Sequence, residues 1–175
     1  MTQVERLAQA LLQRGWMLAT AESCTSGMIA ARCTDLAGSS QWFERGFITY
    51  SNEAKHESLG VSQDILTQQG AVSEAAVRAM ALGALRHSKA QVSVAVSGVA
   101  GPGGGSRSRP VGTVWMAWCV PGDSGPTLGA ETAFIKTECV RFDGVRAAVR
   151  EATVEHVLET LLGLLGASDT PAPVR

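Results

Sequence analysis

The chain has 175 residues, of which 45% are hydrophobic and 18% charged, with a formal net charge of −1. This length and composition predict a single domain over residues 1–167, followed by a flexible tail over residues 168–175. The near-neutral charge provides no basic stripe for a nucleic-acid backbone, and no apolar run reaches the length of a membrane span. We therefore expect a cytoplasmic protein that binds neither nucleic acid nor membrane.

The first half of the chain alternates between helical and strand patterns. Apolar residues at helical spacing mark the first helix, which Gly15 ends, and aromatic and β-branched residues mark the second strand. The predicted elements are a helix over 2–14, a strand over 16–20, a helix over 25–37, a strand over 42–50, short helices over 51–60 and 62–69, and a longer helix over 73–89.

The second half begins with a third strand, marked by Val92, Val94 and Val96. A glycine-rich loop over 97–106 follows, because that composition supports neither helix nor strand. Two apolar runs, 111–120 and 128–140, predict an antiparallel hairpin, and Asp143 is the expected N-cap of a last helix that ends near residue 165. The order predicts an α/β fold, a three-layer α/β/α sandwich around a mixed, mostly parallel sheet with an antiparallel hairpin.

The junction between the first strand and the second helix is a candidate site. Ser23, Thr25 and Ser26 lie where the first N–H groups of the predicted helix lack intrahelical partners, and the helix dipole adds positive potential there. A hydroxyl at this turn has donors ready for the oxyanion that forms when it attacks a carbonyl. Two alternatives remain open: Ser23 or Thr25 is only a helix cap, or Cys24 is the nucleophile through a lowered thiol pKa.

Two further features belong to the same edge of the predicted sheet. Ligands of such sheets bind beyond the carboxyl ends of the strands, where Tyr50 and the loop after Val96 join Ser23. Lys55 can act as a base only if burial lowers its pKa from about 10.4. The glycine-rich loop has amides that can approach a phosphate closely. The four cysteines form no C-x-x-C pair, so we expect no metal site and no cofactor.

Three segments carry a resemblance to a known family. Residues 21–27, A-E-S-C-T-S-G, resemble its A-E-S-C-T-G-G; residues 43–55 resemble its F-x-x-G-x-x-x-Y-x-N-x-x-K region; and residues 97–104 and 110–114 resemble its S-G-I-A-G-P-x-G-G and P-V-G-T-V segments. On these motifs the chain resembles the nicotinamide-nucleotide amidohydrolase (NMN deamidase) family, which is equivalent to the C-terminal domain of competence/damage-inducible CinA proteins. Ser26 departs from a family glycine, and Gly103 departs from a frequent aspartate.

The resemblance implies hydrolysis of nicotinamide mononucleotide to nicotinic acid mononucleotide and ammonia. It implies Ser23 as nucleophile, Lys55 as general base and Tyr50 as the hydroxyl that links or orients them. The expected oxyanion donors are Cys24, Thr25 and Ser26, and the expected phosphate loop comprises Gly98, Ala100, Gly101, Gly103, Gly104 and Gly105.

The expected partners are a small-molecule nucleotide and further copies of the chain, with a competence or DNA-damage protein as a possible third. The family's association with competence and DNA damage leaves two alternatives to the enzyme. One is a non-catalytic regulatory module, and the other is a sensor that binds a nucleotide without turnover.

Overall fold

Helices cover both faces of a five-stranded sheet in the computed structural model, which describes residues 1–122 and 133–166. The strands are β1 (Leu18–Glu22), β2 (Phe43–Ile48), β3 (Val92–Gly98), β4 (Thr113–Pro121) and β5 (Ala133–Arg141). The helices are α1 (Gln3–Arg14), α2 (Met28–Thr34), α3 (Asn52–Leu59), α4 (Gln63–Gln68), α5 (Glu74–Arg86) and α6 (Arg146–Leu164), with a 3-10 turn at Ser39–Gln41.

The strand order in the sheet is β2-β1-β3-β4-β5. Strand β1 pairs in parallel with both β2 and β3, so the carboxyl ends of these three strands meet at one edge. Strands β4 and β5 add to this core as an antiparallel pair, which confirms the predicted hairpin. The predicted turn after Pro121, the start of the second hairpin strand at residue 128 and the predicted tail over 168–175 lie wholly or partly outside the described residues.

Two apolar layers enclose the sheet. On one face α1, α2 and α6 pack against the strands through residues such as Leu11, Ile29 and Leu158. On the other face α3, α4 and α5 do the same, with Leu59 and Met80 at the centre. Every residue of β1 is buried, as expected for a central strand covered on both sides. The predicted three-layer α/β/α sandwich is therefore confirmed.

Two predicted helix starts are wrong. Helix α2 begins at Met28 rather than at residue 25, because Ser26 and Gly27 both have positive φ, 51° and 94°, and cannot belong to a right-handed helix. Helix α6 begins after Val145, which makes no side-chain cap, rather than after Asp143. Among the described residues, no helix is long and apolar enough to cross a membrane.

Candidate active site

A buried carboxylate shapes the turn between β1 and α2. Glu22 is 1% exposed, and its two carboxylate oxygens accept hydrogen bonds from the N–H groups of Gly27, Ile29 and Ala30 and from the Thr25 hydroxyl, at 2.6 to 3.1 Å. The glutamate thus takes up the first free amides of α2. Residues 23–26 therefore form a separate turn between Glu22 and the helix. The sequence predicted that the amides of this turn belong to the helix terminus, and the structure shows that they do not.

Ser23 and Lys55 meet at this turn. The Lys55 ammonium donates to the Ser23 hydroxyl oxygen at 3.1 Å, although the two residues lie 32 positions apart. Ser23 follows β1 directly, and its N–H donates to the Val96 carbonyl of β3, which fixes it at the carboxyl edge of the sheet. Lys55 reaches the same point from the first half of α3.

Three oxygen atoms surround the buried Lys55 amine. It is 1% exposed, and its Nζ also donates to the backbone carbonyls of Thr49 at 2.8 Å and Tyr50 at 3.2 Å. A neutral amine has two N–H donors and one lone pair. The ammonium can donate to all three oxygens, whereas a neutral amine can donate to the two carbonyls and accept the Ser23 proton on its lone pair.

The environment of Lys55 favours the neutral form of its amine. Burial lowers the pKa of the Lys55 ammonium, because desolvation penalises its charged form. In the described part of the chain no carboxylate forms an ion pair with this side chain. A buried lysine without a carboxylate partner loses its proton more readily than a solvated one, which is a property that a general base needs.

The Cys24 thiol has the opposite tendency. Burial raises the pKa of Cys24 to about 11, and the nearby Glu22 carboxylate adds to that rise. A thiol with this pKa is protonated at neutral pH and is a poor nucleophile. The alternative of a lowered thiol pKa, which the sequence left open, does not fit this turn, because Cys24 is 5% exposed and lies outside the helix terminus.

Tyr50 contributes to the site in two separate ways. Its backbone carbonyl binds Lys55, while its hydroxyl accepts a hydrogen bond from Arg146 at 3.1 Å. The side chain is 60% exposed at the mouth of the cleft. Among the described residues, no hydrogen bond joins the Tyr50 hydroxyl to Ser23 or Lys55, so a link through the phenol requires a side-chain movement or a bound molecule.

These residues line a cleft of about 210 Å³. Its walls are formed by Ser23, Cys24, Tyr50, Lys55, Ala71, Val72, Ser97, Gly98, Ala100 and Arg146. A larger cavity of about 1000 Å³ lies among α1, α2 and α6, but it contains neither Ser23 nor Lys55. The contact between Ser23 and Lys55 therefore lies in the smaller cleft.

The glycine-rich loop meets the cleft only with its first part. Gly98 and Ala100 line the cleft, and the Gly101 carbonyl accepts a hydrogen bond from Arg146 at 2.8 Å. Gly103, Gly104 and Gly105 are exposed and lie outside the cleft lining. A Cβ at position 101 would lie 2.5 Å from the Val111 side chain, so that glycine is required by packing.

The turn retains two free amides. In the described ranges, the N–H groups of Cys24 and Thr25 have no acceptor on another residue, whereas the N–H of Ser26 donates to the Ser23 carbonyl. The Ser26 hydroxyl donates to that same carbonyl at 3.1 Å. The left-handed φ of Ser26 explains why a glycine fits this position in the family motif, and the hydroxyl bond explains how serine is accommodated.

Sequence reasoning missed two arginines, Arg146 and Arg150, which α6 brings to the site. Arg150 donates to the backbone carbonyls of Cys24 at 3.0 Å and Thr25 at 3.1 Å. The available signal was electrostatic: Arg146 is the first residue of a helix whose first turn contains no acidic residue, although the helix dipole favours negative charge there.

Fold and site together define an α/β domain with a buried serine–lysine pair at the carboxyl edge of its parallel strands. Residues 1–165 match the family model of the CinA C-terminal domain. The chain belongs to the CinA C-terminal domain family, as its motifs predicted.

Two curated relatives and one solved structure illustrate this membership. The chain is 50% identical over 157 residues, 90% of its length and 89% of the relative's, to the nicotinamide-nucleotide amidohydrolase PncC of Escherichia coli K12. It is 47% identical over 163 residues, 93% and 95% of the two lengths, to the protein of that name from Pseudomonas putida. The crystal structure of competence damage-inducible protein A from Klebsiella pneumoniae superposes with a TM-score of 0.85 at 36% identity, covering 94% of this chain and 95% of that one.

Proposed function

We propose that this protein hydrolyses the carboxamide of nicotinamide mononucleotide to nicotinic acid mononucleotide and ammonia, as a step in pyridine-nucleotide recycling. The two relatives called nicotinamide-nucleotide amidohydrolase, each aligned over about nine-tenths of this chain, support the reaction. The observation that carries the proposal is the buried Lys55 amine, 3.1 Å from the Ser23 hydroxyl and without a carboxylate partner in the described residues.

In the first half of the proposed reaction, Ser23 forms an acyl-enzyme. Its oxygen attacks the carboxamide carbon while its proton passes to the Lys55 lone pair. The carbonyl oxygen becomes an oxyanion, which the free amides of Cys24 and Thr25 stabilise. When the tetrahedral intermediate collapses, the C–N bond breaks and the Lys55 ammonium returns a proton to the leaving nitrogen, which departs as ammonia.

In the second half, water takes the place of ammonia. Lys55, neutral again, accepts a proton from a water molecule that attacks the ester carbon. Collapse of the second tetrahedral intermediate breaks the bond to Ser23, and Lys55 returns the proton to the serine oxygen. The product is the carboxylic acid, and every group in the scheme regains its starting protonation state.

We assign recognition of the nucleotide phosphate to Arg146 together with the first part of the glycine-rich loop. The Arg146 guanidinium lies between the Tyr50 hydroxyl and the Gly101 carbonyl at the cleft mouth. A planar guanidinium is suited to bind phosphate oxygens in pairs, and backbone near glycine can approach an anion closely. The positive charge at the start of α6 costs roughly 0.3–1 kcal/mol against the helix dipole, which a bound phosphate offsets.

The role of Tyr50 follows from its position in this proposal. Its carbonyl holds Lys55, and its exposed ring, tied to Arg146, forms one wall of the cleft. We propose that the phenol orients the bound nucleotide or the catalytic proton once substrate displaces Arg146 from its hydroxyl.

The experiment is to incubate the purified protein with nicotinamide mononucleotide and to measure ammonia in a coupled assay and the nucleotide product by chromatography. We expect equimolar ammonia and nicotinic acid mononucleotide. Saturable binding of the nucleotide without ammonia release would refute the enzyme and favour the sensor. Neither binding nor turnover would favour the regulatory module.

A further inference from the structure

We propose that Arg150 is a positioning residue, which holds the peptide between Cys24 and Thr25 so that its N–H faces the oxyanion formed at Ser23. The inference rests on the proposed amide hydrolysis. It assigns a role to a side chain of α6 that lies 126 positions from Cys24 in the sequence and does not line the cleft.

Arg150 makes two parallel contacts with the turn. Its Nε donates to the Cys24 carbonyl at 3.0 Å, and one terminal nitrogen donates to the Thr25 carbonyl at 3.1 Å. The rigid fork of a guanidinium can hold two neighbouring carbonyls at once, whereas an ammonium acts as a single point. Two consecutive peptide planes are thus fixed by one side chain.

The direction of these carbonyls fixes the direction of the amides. In a trans peptide the C=O and N–H bonds point to opposite sides, so the Cys24 carbonyl on Arg150 directs the Thr25 N–H away from Arg150. That N–H has no acceptor elsewhere in the described residues. The neighbouring Cys24 N–H is directed by the Ser23 carbonyl, which accepts from the Ser26 amide and hydroxyl.

The Arg150 charge also favours an anion at this turn. Burial raises the pKa of the Cys24 thiol, while Arg150 and Lys55 act in the opposite direction by stabilising negative charge nearby. While the oxyanion exists, Lys55 holds the proton taken from Ser23, and Arg150 adds a permanent positive charge near the same turn. A preorganised donor and a fixed charge are the features that stabilise a tetrahedral oxyanion more than they stabilise the bound amide.

The chain provides a matched control for the loss of an arginine at the contact between α2 and α6. Arg32 of α2 forms an ion pair with Glu151 of α6, the residue next to Arg150, and makes no hydrogen bond to residues 23–26 within the described ranges. Arg32→Met therefore removes an arginine from the same helix contact without releasing the turn carbonyls.

The experiment compares Arg150→Met, Arg150→Lys and Arg32→Met with the unmodified protein. For each we measure kcat and KM for nicotinamide mononucleotide, and the affinities for its aldehyde analogue and for nicotinic acid mononucleotide. The aldehyde can add to Ser23 and form an oxyanion-like adduct, whereas the acid cannot. Arg150→Met should lower kcat by about 100-fold, the scale of one lost oxyanion donor, while KM changes by less than about threefold.

Arg150→Met should also reduce the affinity for the aldehyde analogue by about as much as it lowers kcat. The affinity for nicotinic acid mononucleotide should change by less than about threefold. Arg150→Lys should lose about tenfold in kcat, and Arg32→Met should stay within about threefold of the unmodified protein in every measurement. The inference is overturned if Arg150→Met matches Arg32→Met in kcat, or if aldehyde and acid affinities fall together. If Arg150→Met does not fold, Arg150→Lys decides: a fivefold or larger loss in kcat at constant KM supports the role, and an unchanged kcat overturns it.

Failure of the proposed function would be visible separately, because the unmodified protein would then release no ammonia. In that case hydrogen exchange of the amides in residues 23–26 tests the positioning role directly. Faster exchange in the Arg150 variants than in Arg32→Met supports it, and equal exchange overturns it.

Discussion

The most informative structural perturbation is Glu22→Gln, which keeps the size of the side chain but leaves it one acceptor oxygen. In the native turn, one oxygen accepts from Thr25, Gly27 and Ile29, and the other accepts from Ala30. The best orientation of a glutamine keeps the first three bonds, now without the charge, and turns an NH2 group toward the Ala30 N–H. At least one donor is then left unsatisfied in a buried position.

A hydrogen bond to a charged group contributes about 1.5–3 kcal/mol, so losing one bond and weakening three should cost about 3 kcal/mol. For a domain of this size that lowers Tm by roughly 6–12 °C. Thermal unfolding followed by circular dichroism measures the change, with Glu53→Gln at the exposed first turn of α3 as the control. Equal Tm values for the two variants would refute the inference that Glu22 holds the turn and the start of α2.

Three further predictions concern the chemistry. Lys55→Arg should lower kcat by about 10²–10⁴-fold, because a guanidinium does not deprotonate. In the unmodified protein, kcat/KM should rise with pH as Lys55 loses its proton. The midpoint of that rise should lie below the pKa of an ordinary lysine, because burial lowers the pKa of Lys55. An active Lys55→Arg protein would move the base elsewhere. Cys24→Ala should retain most turnover in the ammonia assay, since the thiol pKa of about 11 keeps it protonated, and a dead variant would contradict this. Arg146→Gln should raise KM for nicotinamide mononucleotide by much more than for nicotinamide riboside, which lacks the phosphate, and equal effects would remove Arg146 from phosphate binding.

Periodicity and composition predicted the helices and strands well, because the pattern of buried residues in each element follows from its own local sequence. Strand β3 reads as alternating valines, and α5 as an alanine-rich run after a serine cap, and both lie where the patterns indicated. The same local rules misplaced the start of α2, because they gave no weight to a carboxylate that follows a strand and reaches forward to the helix amides. A helix start set by a buried side chain is a tertiary property.

The same reasoning predicted only part of the site. Ser23 and Lys55 are brought together by the parallel pairing of β1 and β2, and nothing in their spacing alone requires the 3.1 Å contact. The family resemblance selected them. Arg146 and Arg150 come from α6, beyond the hairpin, and their side chains reach the turn and Tyr50 only when the last helix packs across the sheet. Long-range contacts of this kind leave no periodic signal in the sequence.

The central claim is that Ser23 is the nucleophile of an amide hydrolysis, and the rate of ammonia release by Ser23→Ala tests it most directly. Two controls come first: the variant must have a Tm close to that of the unmodified protein, and it must bind nicotinic acid mononucleotide with similar affinity. A loss of rate can then be assigned to the missing hydroxyl. Under saturating nicotinamide mononucleotide, we predict a rate at least about 10⁴-fold lower, since removing a nucleophile abolishes the acyl-enzyme route. A Ser23→Ala protein that keeps more than about one-hundredth of the original rate would contradict the account.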